Sequence, residues 1–330
     1  MPSRTAPSPV RGLVRDLLAG DKRAAAKLIS LIEDDEPEAA EALALVYPHT
    51  GHAQYVGFTG APGVGKSSLI NQLVREFRTR GKKVGVVAVD PTSPYSGGAV
   101  LGDRIRMADT GIDPGVFIRS MATRGHAGGL ALATFDAVRV LDAMGMDLVL
   151  VETVGAGQSE VEIAGRAHTT VVVEMPLTGD AVQTMKAGIL EIGDLYVVNK
   201  SDLADPESLV ANLRFQIEER DGWRPPILRT SALKETGIDE LADAIVQHRA
   251  LLGSDGRWQK REAVRARQEI LENARRLLAN RVRAGPTSAG FERLVQEVVR
   301  RTLDPQAAAI RLLAAGTPHR SPRARAKTRR

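Results

Sequence analysis

Nine consecutive residues, Gly60, Ala61, Pro62, Gly63, Val64, Gly65, Lys66, Ser67 and Ser68, follow the spacing Gly, four residues, Gly-Lys-Ser. That spacing is suited to gripping a run of phosphates. Gly60 and Gly65 let the backbone turn tightly, so that successive N–H groups point inward at phosphate oxygens. A helix starting near Lys66 adds the positive end of its dipole. Lys66 is then placed to reach the β- and γ-phosphates, Ser67 to give its hydroxyl to Mg²⁺, and Ser68 to hydrogen-bond nearby. The competing reading, a Gly-rich turn with no ligand, is disfavoured by the strand pattern before it and the helical pattern after it.

A second group lies about 130 residues downstream, where Asn199-Lys200-Ser201-Asp202 ends an apolar run. The carboxylate of Asp202 can accept two hydrogen bonds from the N1–H and exocyclic amine of guanine, which adenine cannot offer. Asn199 can bond the other edge of the base and the Lys200 stem can lie over its face. Further on, Ser231, Ala232 and Leu233 come at the end of the next apolar run, where a backbone N–H can meet guanine O6. Alone, the tetrapeptide reads equally well as a strand end with a helix cap; the phosphate loop before it and the Ser231 segment after it favour base recognition.

Acidic positions supply the rest of a hydrolytic site. Asp90 and Glu152 each end a strand-like run, and Asp103 lies in the Gly/Ser/Pro-rich stretch after Asp90. These three are assigned to holding Mg²⁺ and its waters or to polarising the attacking water. The competing reading for any one of them is a helix cap or a solvated loop charge. Phosphate-loop GTPases usually carry Asp where this chain has Glu152, so the common scheme does not transfer directly. Gln158 is a weaker candidate for positioning water, and Lys186 sits in a further loop, PLTGDAVQTMKAG, that has no apolar periodicity.

Positioning these groups requires a sheet. Short apolar, β-branched runs at 53–60, 83–90, 116–120, 147–153, 168–175, 194–200 and 227–232 alternate with helical patterns. The runs lack polar alternation, as strands covered on both faces must, so an α/β sandwich with a mostly parallel sheet is expected. Before residue 50 the apolar spacing predicts three short amphipathic helices. After residue 256 one long basic amphipathic helix, with Val264, Leu271, Ala274, Leu278 and Val282 along a face, is followed by a second from about 288 to 302. The expected layout is therefore a helical segment over 1–50, a nucleotide-binding domain over 51–255, a C-terminal helical arm over 256–314 and a disordered basic tail over 315–330. The arm's apolar stripe must be covered, and a second copy of the chain is the favoured cover over the chain's own body.

The 330 residues include no cysteine, which excludes disulfides and thiolate metal sites and fits a reducing compartment; a cytoplasmic, soluble protein is expected. No run approaches the ~20 apolar residues of a membrane span. The formal charge of +5 points toward nucleic acid, but the last fifteen residues carry six basic and no acidic side chains, so the body is near neutral and nucleic-acid binding is not expected.

Taken together, GAPGVGKSS, AVDPTSPYSGGAVLGDRIRM, FIRSMATRGHAGGL, ETVGAGQSE and NKSD resemble, in order, the methylmalonyl-CoA mutase-associated GTPases of the MeaB/ArgK group. With the helical ends the resemblance covers nearly all of residues 10 to 315. It implies a P-loop GTPase core with a helical N-terminal extension and a homodimer built through the C-terminal helices. It also implies a GTP- and Mg²⁺-dependent escort that gates adenosylcobalamin loading and protects a B12-dependent acyl-CoA mutase. By matching motif, Lys66, Ser67, Asp90, Asp103 and Glu152 surround phosphate and metal, Asn199, Lys200 and Asp202 hold guanine, and Lys186 falls in a switch facing the partner. The basic tail is no part of the family pattern. Two other readings are weighed: a metal-delivery GTPase, which needs Cys/His ligand clusters this chain lacks, and a transport-linked ATPase, which predicts adenine selectivity.

Overall fold

Between residues 54 and 253 strands are interspersed with helices, and every strand pairing in the sheet is parallel. The computed structural model describes residues 9–90, 113–122, 129–153, 166–176, 191–203, 205–284 and 288–315. Three helices come first: α1 (Pro9–Leu18), α2 (Lys22–Glu33) and α3 (Ala39–Val46). Then follow β1 (Gln54–Thr59), α4 (Lys66–Thr79), β2 (Val84–Asp90), β3 (Val116–Ala122), α5 (Gly129–Ala143) and β4 (Leu148–Glu152). The remainder comprises β5 (Thr169–Glu174), β6 (Leu195–Val198), α6 (Glu207–Gln216), β7 (Ile227–Arg229), α7 (Ile238–Gly253), α8 (Arg257–Ala284), α9 (Ser288–Val299) and α10 (Pro305–Ala315). The chain divides into two compact units that part between Arg261 and Glu262, inside α8.

The first unit is a seven-stranded sheet in the order β3-β2-β4-β1-β5-β6-β7, parallel at every pairing. Helices cover both faces, and the period of two along each strand sorts the side chains between them. In β4, Leu148 and Leu150 join the core built with α4 and α7. Val149 and Val151 join the core built with α5 and the three N-terminal helices. Burying each such Val or Leu contributes about 1.5–3 kcal/mol, so the unalternating apolar text of these strands follows from having a core on each side.

Local chemistry fixes where the elements start. Asp21 caps α2, its Oδ1 accepting from the backbone N–H groups of Arg23 at 2.6 Å and Ala24 at 3.2 Å. Arg119 on β3 ties α2 to the sheet edge through Glu33 at 2.6 Å and Ser30 at 3.0 Å. The buried carboxylate of Asp142, at the end of α5, accepts from Gly51 N at 2.7 Å, Ala53 N at 2.9 Å and the Tyr55 hydroxyl at 2.6 Å. Those bonds set the register with which the chain enters β1, and hence where its far end delivers the phosphate loop.

Two expectations are revised. The run 227–232 forms strand only as far as Arg229: Thr230 still donates from its backbone N–H to Val198 O at 2.9 Å, but Ser231 pairs with Thr236 in an isolated antiparallel bridge. The C-terminal region has three helices among its described residues, since a break after Val299 is followed by α10, which the sequence reading had not separated. Asp304 starts α10 by accepting from Gln306 N and Ala307 N, both at 3.0 Å, with Pro305 as its first residue. Within the second unit, α9 and α10 face each other across a cleft of about 260 Å³ lined by Phe291, Leu294, Val298 and Leu312. Among the described residues, no helix is long and apolar enough to cross a membrane.

Candidate functional site

Because every strand is parallel, the carboxyl ends of β1, β4 and β6 meet at one edge of the sheet, where ligands of open α/β sheets gather. Phe58 pairs with Glu152, so the loop leaving β1 runs beside that carboxylate. The loop turns on glycines that nothing larger can replace. Gly60 has φ +142° and a Cβ there would lie 2.0 Å from the Val173 carbonyl oxygen. Gly65, at φ +94°, starts α4, and a Cβ there would lie 2.5 Å from Asn199 Nδ2.

Lys66 is buried, and its ammonium donates to the loop's own carbonyls, Gly60 O at 2.6 Å and Ala61 O at 3.1 Å. These two carbonyls help hold the cation inside the loop. The Ser67 hydroxyl donates to Glu152 Oε1 at 2.6 Å, bringing together the first turn of α4 and the end of β4. Val64 is buried, while Pro62, Gly63 and Ser68 are exposed.

The second group meets the first through one side chain. Asn199, just past β6 and buried, donates from Nδ2 to Val64 O at 2.8 Å. Its Oδ1 accepts from Thr230 Oγ1 at 3.1 Å and Ala232 N at 3.3 Å. Lys200, with φ +57°, donates from Nζ to Gly63 O at 2.7 Å. The phosphate loop, the end of β6 and the segment after β7 are therefore pinned together at Asn199. A Ser231 hydrogen bond, aided by the Lys234 ammonium 4.0 Å away, holds the Asp202 carboxyl below the usual carboxylate range. It stays an acceptor-only group at neutral pH. The Leu233 side chain is exposed, so any contribution at that position comes from its backbone.

Of the remaining candidates, Asp90 ends β2 two positions past Ala88, the partner of Glu152; only its backbone is described. Asp103, Gln158 and Lys186 lie outside the described residues. One contributor, Thr230, escaped the sequence reading, whereas a helix beginning after Gly237 was expected. Thr230 is fully buried and orients Asn199. Gly237 starts α7 at φ +72°, where a Cβ would lie 2.1 Å from Arg229 O. The text TSALKETG contains both, but nothing in spacing alone says which hydroxyl reaches back 31 residues to Asn199.

Comparison with known proteins adds an independent line. Residues 25–287 match the family described as methylmalonyl Co-A mutase-associated GTPase MeaB. A Pyrococcus abyssi protein bearing a GTPase name is 48% identical over 307 residues, covering 91% of this chain and 95% of that one. The Caenorhabditis elegans protein called methylmalonic aciduria type A homolog, mitochondrial, is 34% identical over 275 residues, covering 76% of this chain and 69% of its own length. Among solved structures, an LAO/AO transport system kinase superposes with TM-score 0.69 at 27% identity, covering 95% of this chain and 99% of that one.

Proposed function

The chain belongs to the MeaB family of methylmalonyl Co-A mutase-associated GTPases, and from that premise we propose that it binds and hydrolyses GTP to gate cofactor loading and protect a B12-dependent acyl-CoA mutase. The observation that supports the nucleotide part is the Asn199 junction, which ties the phosphate loop to the segment carrying Asp202, the carboxylate that would select the base. Guanine's N1–H and 2-amino group would donate to Asp202, and Ala232 N or its neighbours would meet O6. Lys66 would exchange Gly60 O and Ala61 O for β- and γ-phosphate oxygens.

The Ser67 hydroxyl and Glu152 carboxylate, already in contact, are hard oxygen donors that fit Mg²⁺. Bound there, with Asp90 and Asp103 as further acids, the ion would supply charge neutralisation on the phosphate oxygens. Glu152 and its acidic neighbours would also orient the attacking water, and Lys186 would report nucleotide state to the partner. Hydrolysis without the mutase is expected to be slow, because the sequence places no evident arginine finger at the site.

Support for the mutase partner comes from the matched family and from the nematode relative's name. Support for a homodimer comes from α8, where Val264, Leu271 and Leu278, spaced by seven, and likewise Ile270 and Leu277, stand exposed along the helix. The decisive experiment is calorimetry of the purified protein with GTP and ATP in Mg²⁺, followed by GTP turnover with and without an adenosylcobalamin-dependent acyl-CoA mutase. GTP-selective heat and mutase-stimulated turnover are expected. Absence of heat with guanine nucleotides sinks the site; turnover indifferent to the mutase sinks the escort role alone. A transport-linked ATPase, the reading suggested by the kinase's name, requires ATP to displace GTP in the same titration.

A further inference from the structure

Asn199 follows the carboxyl end of β6, and Asp194 precedes its amino end, about 16 Å away at the strand rise. At that opposite end of the sheet, within the first unit, lies a cavity of about 560 Å³, in the size range of small-molecule sites. Its cations are not equally engaged. Arg261 is spent on Asp194, at 2.7 and 3.1 Å, and on His168 O. Arg220 is spent on the backbone carbonyls of Glu191 and Gly193.

Arg257 and Lys260 are not so spent. Among the described residues the Arg257 guanidinium has one ion-pair partner, Asp255, at the 4.0 Å limit, and its Nη1, enclosed by protein, has no hydrogen-bond partner. Lys260 is exposed, and its ammonium has no ion pair or hydrogen bond among the described residues. Across the cavity Trp223 is held by its own Nε1–H on Asp194 O at 2.8 Å, so its indole is a fixed wall, with Leu251 and Leu252 beside it.

We propose that this cavity is a second ligand site, separate from the nucleotide site, for a small oxyanion carrying an apolar or aromatic body. The phosphate or carboxylate head sits on Lys260 and the exposed side of the Arg257 guanidinium, whose side chain is 27% exposed, and the body lies against Trp223. Asp194, Asp221 and Asp255 on the same lining exclude polyanions by repulsion and favour a singly headed ligand.

The test titrates phenyl phosphate and, in parallel, benzoate into the full chain, reading tryptophan emission with and without excess GDP. A saturable change that survives GDP is expected for at least one of the two probes. It should weaken about tenfold in Arg257→Gln and in the exposed Lys260→Ala, each losing a charged hydrogen bond. No saturable change with either probe at millimolar concentration overturns the proposal. So does a change that GDP abolishes, because the probe is then in the phosphate loop, and so does an affinity that neither substitution alters. Lys260→Ala, at the surface, keeps the test valid if Arg257→Gln fails to fold.

Discussion

At the scale of single residues, the site is held by atoms that leave no room for substitution. Gly65→Ala puts a methyl 2.5 Å from Asn199 Nδ2 and forces a side chain into left-handed backbone. A cost of about 1–3 kcal/mol in folding stability is expected, with loss of nucleotide affinity beyond it because Asn199 must swing off Val64 O. Urea melts and nucleotide titration of the same sample separate the two effects. Asp202→Ala tests a different quantity. Removing the acceptor for two guanine donors should lower GTP affinity about a hundredfold while leaving ATP affinity unchanged. An equal loss for both nucleotides would show that Asp202 holds the loop and does not read the base.

At the scale of elements, buried polar groups tie helices to the sheet. His248 on α7 is buried against β5, its Nδ1 2.9 Å from Thr169 Oγ1 and its Nε2 3.5 Å from Asp194. Burial pushes its pKa down to about 4, with the Arg261 cation adding to the shift and Asp194 opposing it. A depressed histidine binds its proton more readily unfolded, so its contribution is full above about pH 6.5 and is lost as pH falls toward 4. Comparing denaturation of wild type and His248→Gln across that window should show the wild type losing about 3 kcal/mol more. Parallel profiles would mean the imidazole takes up its proton equally readily in the folded and unfolded chain. In the second unit, Asp304→Ala should cost about 1 kcal/mol of α10 stability and Asp304→Asn much less, since only the alanine removes the capping acceptor. Amide exchange over residues 305–315 is the readout.

At the scale of the whole molecule, the two units divide the chemistry between them. All described members of the candidate nucleotide site lie before Arg261, and the exposed apolar repeat of α8 lies after it. If that repeat joins two copies, Leu271→Glu with Leu278→Glu should convert a dimer to a monomer in sedimentation velocity, with helical content and GTP affinity unchanged. A wild-type chain that sediments as a monomer at micromolar concentration removes the proposal without touching the nucleotide site.

The sequence by itself determined the parts whose chemistry is local. Gly-rich turns, the run of phosphate-facing positions from Gly60 to Ser68, the apolar strands and the three N-terminal helices are each written in adjacent residues, because backbone freedom and hydrophobic period act over a few positions. Tertiary structure alone decided what adjacency does not encode. It joined Asn199 to Val64 and Thr230, set the Ser67 hydroxyl on Glu152 across 85 residues, and ended β7 early at Arg229. It also gathered Arg257, Lys260 and Trp223 at the end of the sheet away from the phosphate loop. Strand order and crossovers bring such groups within hydrogen-bond reach, and that proximity depends on which strands neighbour one another, a property of the packed sheet that no run of residues carries.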